Sequence, residues 1–226
     1  MDCPICGSVT TAGKILEITC CFTGKLLRRR ECPSCGLIFG PEDMILASPE
    51  EMDKAYERVY SSYAEGDTTA FAVDTFRRLS PSKEGKYLDF GCGRWSRTLE
   101  TLKTDGYDVV GYDPYERNDH LVISDLVSLQ QNRFDGIMSH NVIEHVQSPL
   151  SFFFLLRELL KPGSKMAHST ECYDYRVAQS GLHLFFFTGN SVKILCERTG
   201  FSLVSRVNRT TSGIADTCCV FERSEG

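Results

Sequence analysis

The stretch YLDFGCGRWSRTLE, residues 87–100, begins as an apolar strand and continues into a short turn that contains two glycines. Gly91 and Gly93 let the backbone pass close to a ligand, because neither residue carries a Cβ atom. A loop that binds the diphosphate of a dinucleotide would have a third glycine where Ser96 stands. The carboxylate of Asp89 would repel a diphosphate and attract a cation. The stretch therefore predicts a nucleotide-type binding loop whose ligand is cationic.

The chain from Lys86 onward alternates between strand and helix patterns. Such alternation predicts an α/β, Rossmann-like fold, in which helices cover both faces of a mostly parallel sheet. The predicted strands are KYLDFGCG, YDVVGYDP, HLVISDL, FDGIMSHNVIEHV, SKMAHST, FSLVSRVN and DTCCVFER. The predicted helices are RTLETLKTDG, SPLSFFFLLRELLKPG and TGNSVKILCERTG.

Polar side chains follow the first four of these strands. Ligands of such sheets bind beyond the carboxyl ends of the strands, where the strand order reverses. Asp113 lies 20 residues after Gly93, an offset at which an acid can accept hydrogen bonds from both ribose hydroxyls. Asp125 can accept from an adenine amino group, with the backbone of Leu126 nearby. These residues, together with those at the end of the fourth strand, predict one crevice.

Two nearly identical CPxCG units lie at residues 3–7 and 32–36. Two cysteines separated by two residues can ligate one metal ion, and two such units make the closed tetrahedral site of structural zinc. Redox chemistry of the CxxC units is the competing interpretation, and Cys20 and Cys21 are a weaker candidate ligand pair. The sequence between the units predicts a hairpin with its turn near Thr23 and Gly24. The predicted zinc ligands are Cys3, Cys6, Cys32 and Cys35.

The signals along the chain divide it into three parts. Residues 1–40 form the predicted zinc ribbon, residues 41–82 a helical linker or lid, and residues 83–226 the main domain. Within the linker, Ser48 followed by Pro49 and two acids predicts a helix start, and this helix should reach about Tyr60. A second short helix, TAFAVDTFRRLSP, should follow it.

Composition limits the classes of partner. The chain has 226 residues and a formal net charge of −5, which gives no general attraction to nucleic acid or anionic lipid. It has no signal-peptide pattern and no apolar run of the roughly 20 residues that a membrane span needs, so a cytoplasmic protein without membrane contact is expected. The basic cluster KLLRRREC is typical of a solvated hairpin face.

Several motifs together resemble the class I S-adenosylmethionine-dependent methyltransferases. They are LDFGCG, VVGYDP, FDGIMSHNVIEHV with LKPG, and HLFFFT followed by ERTGF. With CPICG…RRRECPSCGLIF and YERVYSSYAEGD in front, the chain is similar to a zinc-ribbon-bearing subgroup of the methyltransferase type 11/12/23 kind. The resemblance implies a seven-stranded sheet whose last strand is antiparallel. It also implies a role in modifying sugars, polysaccharides or natural products.

The resemblance also implies roles for individual residues around S-adenosylmethionine. One departure concerns Trp95, which stands where the family usually has its third glycine; its indole should point away from the cofactor. The implied roles are the methionine end for Asp89, Gly91 and Gly93, the ribose for Asp113, adenine for Asp125, the sulfonium for His140 and Asn141, and a lid for Tyr60 and Tyr63.

Methyl transfer to a hydroxyl requires an aligned nucleophile and a group that removes its proton. Histidine is suited to that role near neutral pH. His140, His183 and His145 are the candidates, and for each of them a structural role is the competing interpretation. His120 and His168 are expected at surface and strand positions.

Three functions follow as alternatives. The leading one is a methyltransferase for a small-molecule acceptor: a sugar, a polysaccharide precursor or a natural-product intermediate. The second is an RNA methyltransferase acting on a base of ribosomal or transfer RNA; the net charge argues against nucleic acid but leaves it open. The third is a scaffold that has lost cofactor binding, for which Trp95 is the only support. The sequence leaves a homo-oligomer open.

Overall fold

The N-terminal part of the chain forms a small antiparallel sheet followed by three helices. The computed structural model describes residues 1–60, 66–93, 97–115, 121–174, 180–211 and 214–225. The sheet contains β1 (Ile15–Thr19), β2 (Leu26–Glu31) and β3 (Ile38–Phe39), of which the first two form the predicted hairpin. The helices are α1 (Glu42–Ile45), α2 (Pro49–Tyr60) and α3 (Thr69–Arg77).

The start of α2 follows directly from local sequence chemistry. The backbone N–H of Glu51 donates to Oγ of Ser48 at 3.3 Å, and the backbone N–H of Ser48 donates to Oε2 of Glu51 at 2.8 Å. This reciprocal capping satisfies two backbone donors that the first turn of a helix leaves unpaired. The predicted helix from Pro49 to about Tyr60 is therefore confirmed.

A seven-stranded mixed sheet forms the centre of the protein, and its strands follow the predicted alternation. Because the last strand in the chain runs antiparallel to both of its neighbours, the sheet has the predicted strand directions. The order across the sheet is β6-β5-β4-β7-β8-β11-β10. The strands are β4 (Lys86–Phe90), β5 (Asp108–Tyr112), β6 (Val122–Ile123), β7 (Phe134–His140), β8 (Leu160–Thr170), β10 (Phe201–Thr211) and β11 (Ile214–Arg223); a short β9 (Phe185–Phe186) precedes β10 in the chain and lies outside this sheet.

Helices pack on the sheet and bury its apolar strands. Ser148 caps the helix Pro149–Leu159 by accepting from the backbone N–H of Ser151 at 3.2 Å, as the Ser-Pro start predicts. Phe153 and Leu156 of that helix are fully buried, so SFFFLLRELL is the expected core helix. Among the described residues, no helix combines the length and the apolar character needed to cross a membrane. The helices are α4 (Arg97–Thr104), α5 (Leu126–Gln130), α6 (Pro149–Leu159) and α7 (Ser191–Thr199), with a 3₁₀ turn at Glu171–Tyr173.

The strand order reverses between β4 and β7. β5 and β6 extend the sheet on one side of β4, while β7 and β8 extend it on the other. Adjacent crossovers therefore leave the sheet in opposite directions at this point, and a crevice opens beyond the carboxyl ends of the two central strands. The loop that follows β4 lies at the mouth of this crevice.

The N-terminal sheet is joined to the main part of the chain by β9. Ile38 and Phe39 of β3 pair with Phe186 and Phe185 of β9 in antiparallel register. The two parts also share an apolar core, in which Leu37 packs in the same cluster as the central strands and α7. No local sequence pattern predicts this pairing. The division of the chain at residues 40 and 82 stays a prediction.

Candidate active site

The glycine loop after β4 has a backbone that only glycine adopts easily. Gly91 and Gly93 have φ angles of +76° and +70°. A Cβ atom on Gly91 would lie 2.5 Å from Cγ2 of Val142, so a side chain there is excluded by contact as well as by backbone conformation. The backbone N–H of Gly91 donates to the carbonyl of Tyr112 at 2.7 Å. The loop is thus fastened to the end of β5 and rests on the turn after β7.

Asp113, at the end of β5, is connected to the same loop. Its Oδ2 accepts from the backbone N–H of Gly93 at 3.0 Å, and its Oδ1 accepts from that of Tyr115 at 2.9 Å. A carboxylate offers about four lone-pair sites, so each oxygen can accept one further hydrogen bond. The side chain is half-buried. The predicted role of Asp113 as a ribose ligand is compatible with this geometry and stays a prediction.

Asp89 is a buried carboxylate beside the glycine loop. Its side chain is 4% exposed, and burial, together with the nearby carboxylate of Asp113, raises its pKa to about 7. Within the described residues it forms no ion pair. A buried carboxylate is costly unless a cation or hydrogen-bond donors stabilise it. The position therefore fits the cationic ligand that the sequence predicts.

Asp125 caps the helix that follows β6. Its Oδ1 accepts from the backbone N–H of Ser128 at 2.7 Å, and this bond lowers the pKa of the carboxyl group. The capping role is one that sequence reasoning missed, although an aspartate just before a helix is the ordinary signal for it. Leu126 is the first residue of α5 and is exposed. Contact of both residues with adenine stays a prediction.

His140 ends β7 with its ring largely buried. Its Nδ1 lies 2.8 Å from Oγ of Ser169, and the ring stacks on Phe71 with centroids 5.9 Å apart. Burial lowers the pKa of His140 to about 4, so the imidazole is neutral near pH 7. Within the described residues its Nε2 has no hydrogen-bond partner. The next residue, Asn141, has φ +54°, a left-handed conformation that asparagine tolerates better than most residues.

A buried polar network behind His140 was not predicted. Oγ of Ser169 lies 2.7 Å from Oγ1 of Thr75, which also accepts from Arg209 at 3.0 Å. Arg209 further pairs with Asp216, whose Oδ2 lies 3.9 Å from Nδ1 of His140. The network joins α3 to β8, β10 and β11 and fixes the orientation of the imidazole. Its members lie far apart in sequence, which explains why no local pattern indicated it.

His145 and His183 come together beside the crevice, with ring centroids 4.9 Å apart. Nδ1 of His145 lies 2.9 Å from the carbonyl oxygen of Leu182. A carbonyl can only accept, so Nδ1 carries a proton, and in the neutral form of the ring the lone pair lies on Nε2. Burial is the main cause that lowers the pKa of His183 to about 3, and electrostatic interactions with His145 and Arg29 act in the same direction. The turn after β7 thus leads from the glycine loop to a pair of histidines.

Helix α2 contacts both the turn after β7 and the segment after β5. The ring of Tyr56 lies 6.0 Å from that of His145 and 6.3 Å from that of Tyr115. Tyr115, just after β5, donates from its hydroxyl to Oδ1 of Asp53 at 2.8 Å. Sequence reasoning missed Tyr56 and Tyr115 as site residues. Of the two predicted lid tyrosines, Tyr60 ends α2, and Tyr63 lies outside the described residues.

Three further residues singled out in the sequence are His168, His120 and Trp95. His168 is a fully buried strand residue that contacts Ser139, and burial lowers its pKa to about 3. It packs among Phe152, Phe153 and Phe221, which confirms the expected strand position. His120 and Trp95 lie outside the described residues, so the predicted orientation of the indole stays a prediction.

The four cysteines of the CPxCG units converge on one point, and their ligand atoms lie within 4.8 Å of one another. Sγ of Cys3 is 3.6 Å from that of Cys35, and Sγ of Cys6 is 3.5 Å from that of Cys32. Four sulfurs bound at about 2.3 Å to a tetrahedral zinc ion lie about 3.8 Å apart. The four thiols therefore fit zinc, and small adjustments would complete the site.

Known proteins resemble this chain over its central part. The family described as a methyltransferase domain (Methyltransf_23) matches residues 63–206. A ubiquinone biosynthesis O-methyltransferase from Roseobacter denitrificans is 33% identical over 122 residues, which is 46% of this chain and 49% of that protein. A tRNA U34 carboxymethyltransferase from Aliivibrio salmonicida is 29% identical over 164 residues, which is 60% of this chain and 51% of that protein. The chain spans about half the length of these relatives.

Solved structures resemble the fold. The 1,6-didemethyltoxoflavin-N1-methyltransferase of Burkholderia thailandensis, crystallised with 1,6-didemethyltoxoflavin and S-adenosylhomocysteine, has a TM-score of 0.59 and 19% identity. The likeness covers 84% of this chain and 96% of that one. The family match extends over well over half of the chain, and the sheet has seven strands with an antiparallel last strand. The protein therefore belongs to the methyltransferase domain family and has the fold of the class I S-adenosylmethionine-dependent methyltransferases.

Proposed function

We propose that the protein transfers the methyl group of S-adenosylmethionine to a hydroxyl group of a small molecule. The observation that carries the proposal is the buried carboxylate of Asp89 beside a glycine loop that is tied to Asp113. A buried anion next to a ribose-type acid suits a ligand that is a cation at one end and a nucleoside at the other. S-adenosylmethionine has that combination of groups.

Different residues of the site would contact different parts of S-adenosylmethionine. Asp89, with Gly91 and Gly93, would hold the methionine end, and Asp113 would accept from the ribose hydroxyls. Asp125 and Leu126 would border adenine. His140 and Asn141 would lie beside the sulfonium, where a neutral imidazole avoids repulsion between two positive charges.

The transfer itself is an in-line displacement. An acceptor oxygen forms a bond to the methyl carbon, the carbon–sulfur bond breaks, and its electron pair stays on sulfur to leave S-adenosylhomocysteine. The hydroxyl proton has to leave during this step. We assign removal of this proton to Nε2 of His145, because Nδ1 of the same ring is engaged with the Leu182 carbonyl. The ring of His183 packs against it.

A mainly apolar cavity of about 170 Å³, with a few charged residues in its lining, lies next to Leu182 and gives an acceptor a binding surface. One wall comes from the N-terminal hairpin and another from α2, and Leu182, whose carbonyl bonds His145, lines it as well. Apolar walls with a few polar groups are typical of small-molecule sites. Apolar lining residues include Phe22, Leu27, Met44 and Val59, and the polar or charged ones are Thr23, Lys25, Asp43 and Arg58.

The nature of the acceptor is the finer part of the proposal. A sugar, a polysaccharide precursor or a natural-product intermediate fits a small mixed cavity, and one group of relatives carries the name of an O-methyltransferase of ubiquinone biosynthesis. The arginines of the hairpin are engaged within the protein: Arg28 pairs with Glu17 at 2.8 Å, and Arg30 donates to the Thr10 carbonyl at 3.3 Å. They are thereby less available to phosphates.

Transfer RNA is the second candidate acceptor, because other relatives carry the name of a tRNA U34 carboxymethyltransferase. The two candidates differ in salt dependence, since binding through phosphates weakens steeply as salt rises. Incubation with S-adenosylmethionine and each acceptor class, read by mass spectrometry, tests the proposal. A methylated small molecule supports it, whereas methylated tRNA with salt-sensitive binding favours the second candidate. Failure to bind S-adenosylhomocysteine would favour the non-catalytic scaffold.

A further inference from the structure

We propose that Glu144, His145 and His183 form a second metal site, separate from the four-cysteine cluster, for a divalent first-row metal ion. One ligand atom from each residue lies within 4.8 Å of those of the other two. Two imidazoles and one carboxylate are a ligand set of catalytic zinc, in which the fourth position stays open. Metal binding stands on this geometry alone, and only the chemical role of the ion rests on the proposed function.

The separation of the three groups is close to what an ion requires. Ligand atoms at about 2.0–2.2 Å from a tetrahedral zinc ion lie about 3.3–3.6 Å from one another. Since the ligand atoms lie within 4.8 Å of one another, the three side chains would have to close by at most about 1.2–1.5 Å. Rings of both histidines are half-buried, so side-chain rotation is available to them and an ion can reach them from outside.

Two hydrogen bonds to backbone carbonyls hold the ligand-bearing segments against each other. The N–H of Leu184 donates to the carbonyl of Glu144 at 2.7 Å, and Nδ1–H of His145 donates to the carbonyl of Leu182 at 2.9 Å. Because Nδ1 of His145 is engaged in the second bond, Nε2 is the nitrogen assigned to the metal ion. A histidine ligand that donates its other N–H to a carbonyl is the usual outer-shell arrangement of metal sites.

The other two ligands also have supporting partners. Glu144 is 1% exposed, and its Oε1 accepts from the hydroxyl of Thr170. Nδ1 of His183 lies 3.6 Å from Sγ of Cys172 and 4.0 Å from Oε1 of Glu171. A buried carboxylate is stabilised by a metal ion, and a histidine that stays neutral is in the form that ligates one.

The site adjoins the proposed acceptor cavity, because Leu182 lines that cavity and also bonds His145. An acceptor hydroxyl bound at the open position of the ion would become more acidic, as water does on zinc. Its proton would pass to solvent, and the resulting oxyanion would attack the methyl carbon. The carbon–sulfur bond would break and its electron pair would stay on sulfur, so no oxidant or reductant is needed. The histidines would then act through the ion instead of taking the proton themselves.

Co²⁺ is a suitable probe, because its visible spectrum distinguishes nitrogen and oxygen ligands from thiolates. The 226-residue chain with its cysteine site loaded with zinc is titrated with Co²⁺, and the bound metal is counted after gel filtration. We expect about one Co²⁺ per chain with a spectrum free of thiolate charge-transfer bands. His183→Gln and His145→Gln should each weaken Co²⁺ binding by at least about tenfold. Glu158→Gln, an exposed carboxylate on α6, is the matched control and should bind as the wild type does.

The outcomes separate the metal site from the cofactor site, because S-adenosylhomocysteine binding is measured on the same samples. Wild-type protein that binds S-adenosylhomocysteine but no Co²⁺ overturns the metal site and leaves the proposed function intact. Co²⁺ binding that survives both histidine substitutions overturns the ligand assignment. Co²⁺ binding without S-adenosylhomocysteine binding would support the site and count against the proposed function. Zinc retained at the cysteines verifies that each variant is folded.

Discussion

The backbone N–H of Gly93 donates a hydrogen bond to Oδ2 of Asp113 at 3.0 Å, across 20 residues of sequence. The bond joins the ends of two adjacent parallel strands, β4 and β5, beside the point between β4 and β7 where the strand order reverses. One carboxylate therefore helps to shape the glycine loop, and in the proposed function it also accepts from the ribose hydroxyls.

Asp113→Ala should weaken S-adenosylhomocysteine binding by about 1–3 kcal/mol, because hydrogen bonds to a charged acceptor are lost. Isothermal titration calorimetry measures the change. Asp108→Ala removes an exposed carboxylate from the opposite end of the same strand and should leave affinity unchanged. Equal affinity of the Asp113 variant and the wild type would mean that the ribose ligand is assigned to the wrong residue.

Cofactor binding should depend on pH through Asp89, whose pKa is raised to about 7. A cation binds the ionised carboxylate, so affinity for S-adenosylhomocysteine should rise with pH, by up to about tenfold per unit below pH 7, and level off above it. Asp89→Asn should bind more weakly and show a much flatter profile. Calorimetry at pH 5.5 to 8 tests this, and a flat wild-type profile would rule out the charge assigned to Asp89.

The same raised pKa has a consequence for stability. Between the ordinary value of 3.8 and about 7, the folded chain holds a proton on Asp89 that the unfolded chain has released. The contribution of this group to stability is therefore present below pH 4 and lost as pH rises to about 7. Asp89→Asn should accordingly raise the melting temperature of the cofactor-free protein near pH 8, where the wild type buries a charge. A lower melting temperature for the variant at that pH would contradict this.

Zinc should support both the N-terminal sheet and the acceptor side. Cys32→Ser should release zinc and lower the melting temperature, because the cysteines share a core with the central sheet and β3 pairs with β9. Elemental analysis and thermal unfolding measure the two effects. Cys21→Ser is the control, since Cys21 is exposed and lies outside the cluster. A wild-type protein that binds no zinc would disprove the prediction.

Arg29 should position the segment that carries His183. Arg29 is 1% exposed, and its guanidinium donates to the carbonyls of Ser180 at 2.7 Å and His183 at 3.2 Å. Arg29→Met should cost about 1–3 kcal/mol of stability, because buried carbonyls lose their donors. It should also raise KM for the acceptor while S-adenosylhomocysteine affinity stays the same.

The neighbouring arginine supplies the control for that experiment. Arg28 pairs with Glu17 on the surface, and exposed pairs contribute little to stability. Arg28→Met should therefore change neither stability nor KM appreciably. If the Arg29 variant behaves like the Arg28 variant, the hairpin does not position the acceptor side.

Local chemistry explains why much of the fold could be predicted from sequence. The Ser48 capping box and the alternation of apolar strands with amphipathic helices are set by residues a few positions apart. The convergence of the four cysteines was equally readable, since each CPxCG unit holds its own pair. The carboxyl ends of β4, β5 and β7 could also be expected to meet, because parallel neighbouring strands end at the same edge of the sheet.

What could not be predicted depends on contacts between distant segments. β3 and β9 are two residues each, too short for a periodic pattern, and they pair across almost 150 positions. The network of Arg209, Thr75 and Ser169 behind His140 is long-range in the same way. Asp125 shows a different limit, because it both follows a strand and precedes a helix. The strand-end position led to the predicted adenine contact, whereas the structure shows that Asp125 caps the helix.

The central claim is that the crevice between β4 and β7 binds S-adenosylmethionine, and calorimetry with zinc-loaded protein tests it most directly. We predict saturable binding of about one molecule of S-adenosylmethionine per chain, weakened by Asp89→Asn and by Asp113→Ala. Folded, zinc-loaded protein that takes up no S-adenosylmethionine and no S-adenosylhomocysteine would contradict the claim.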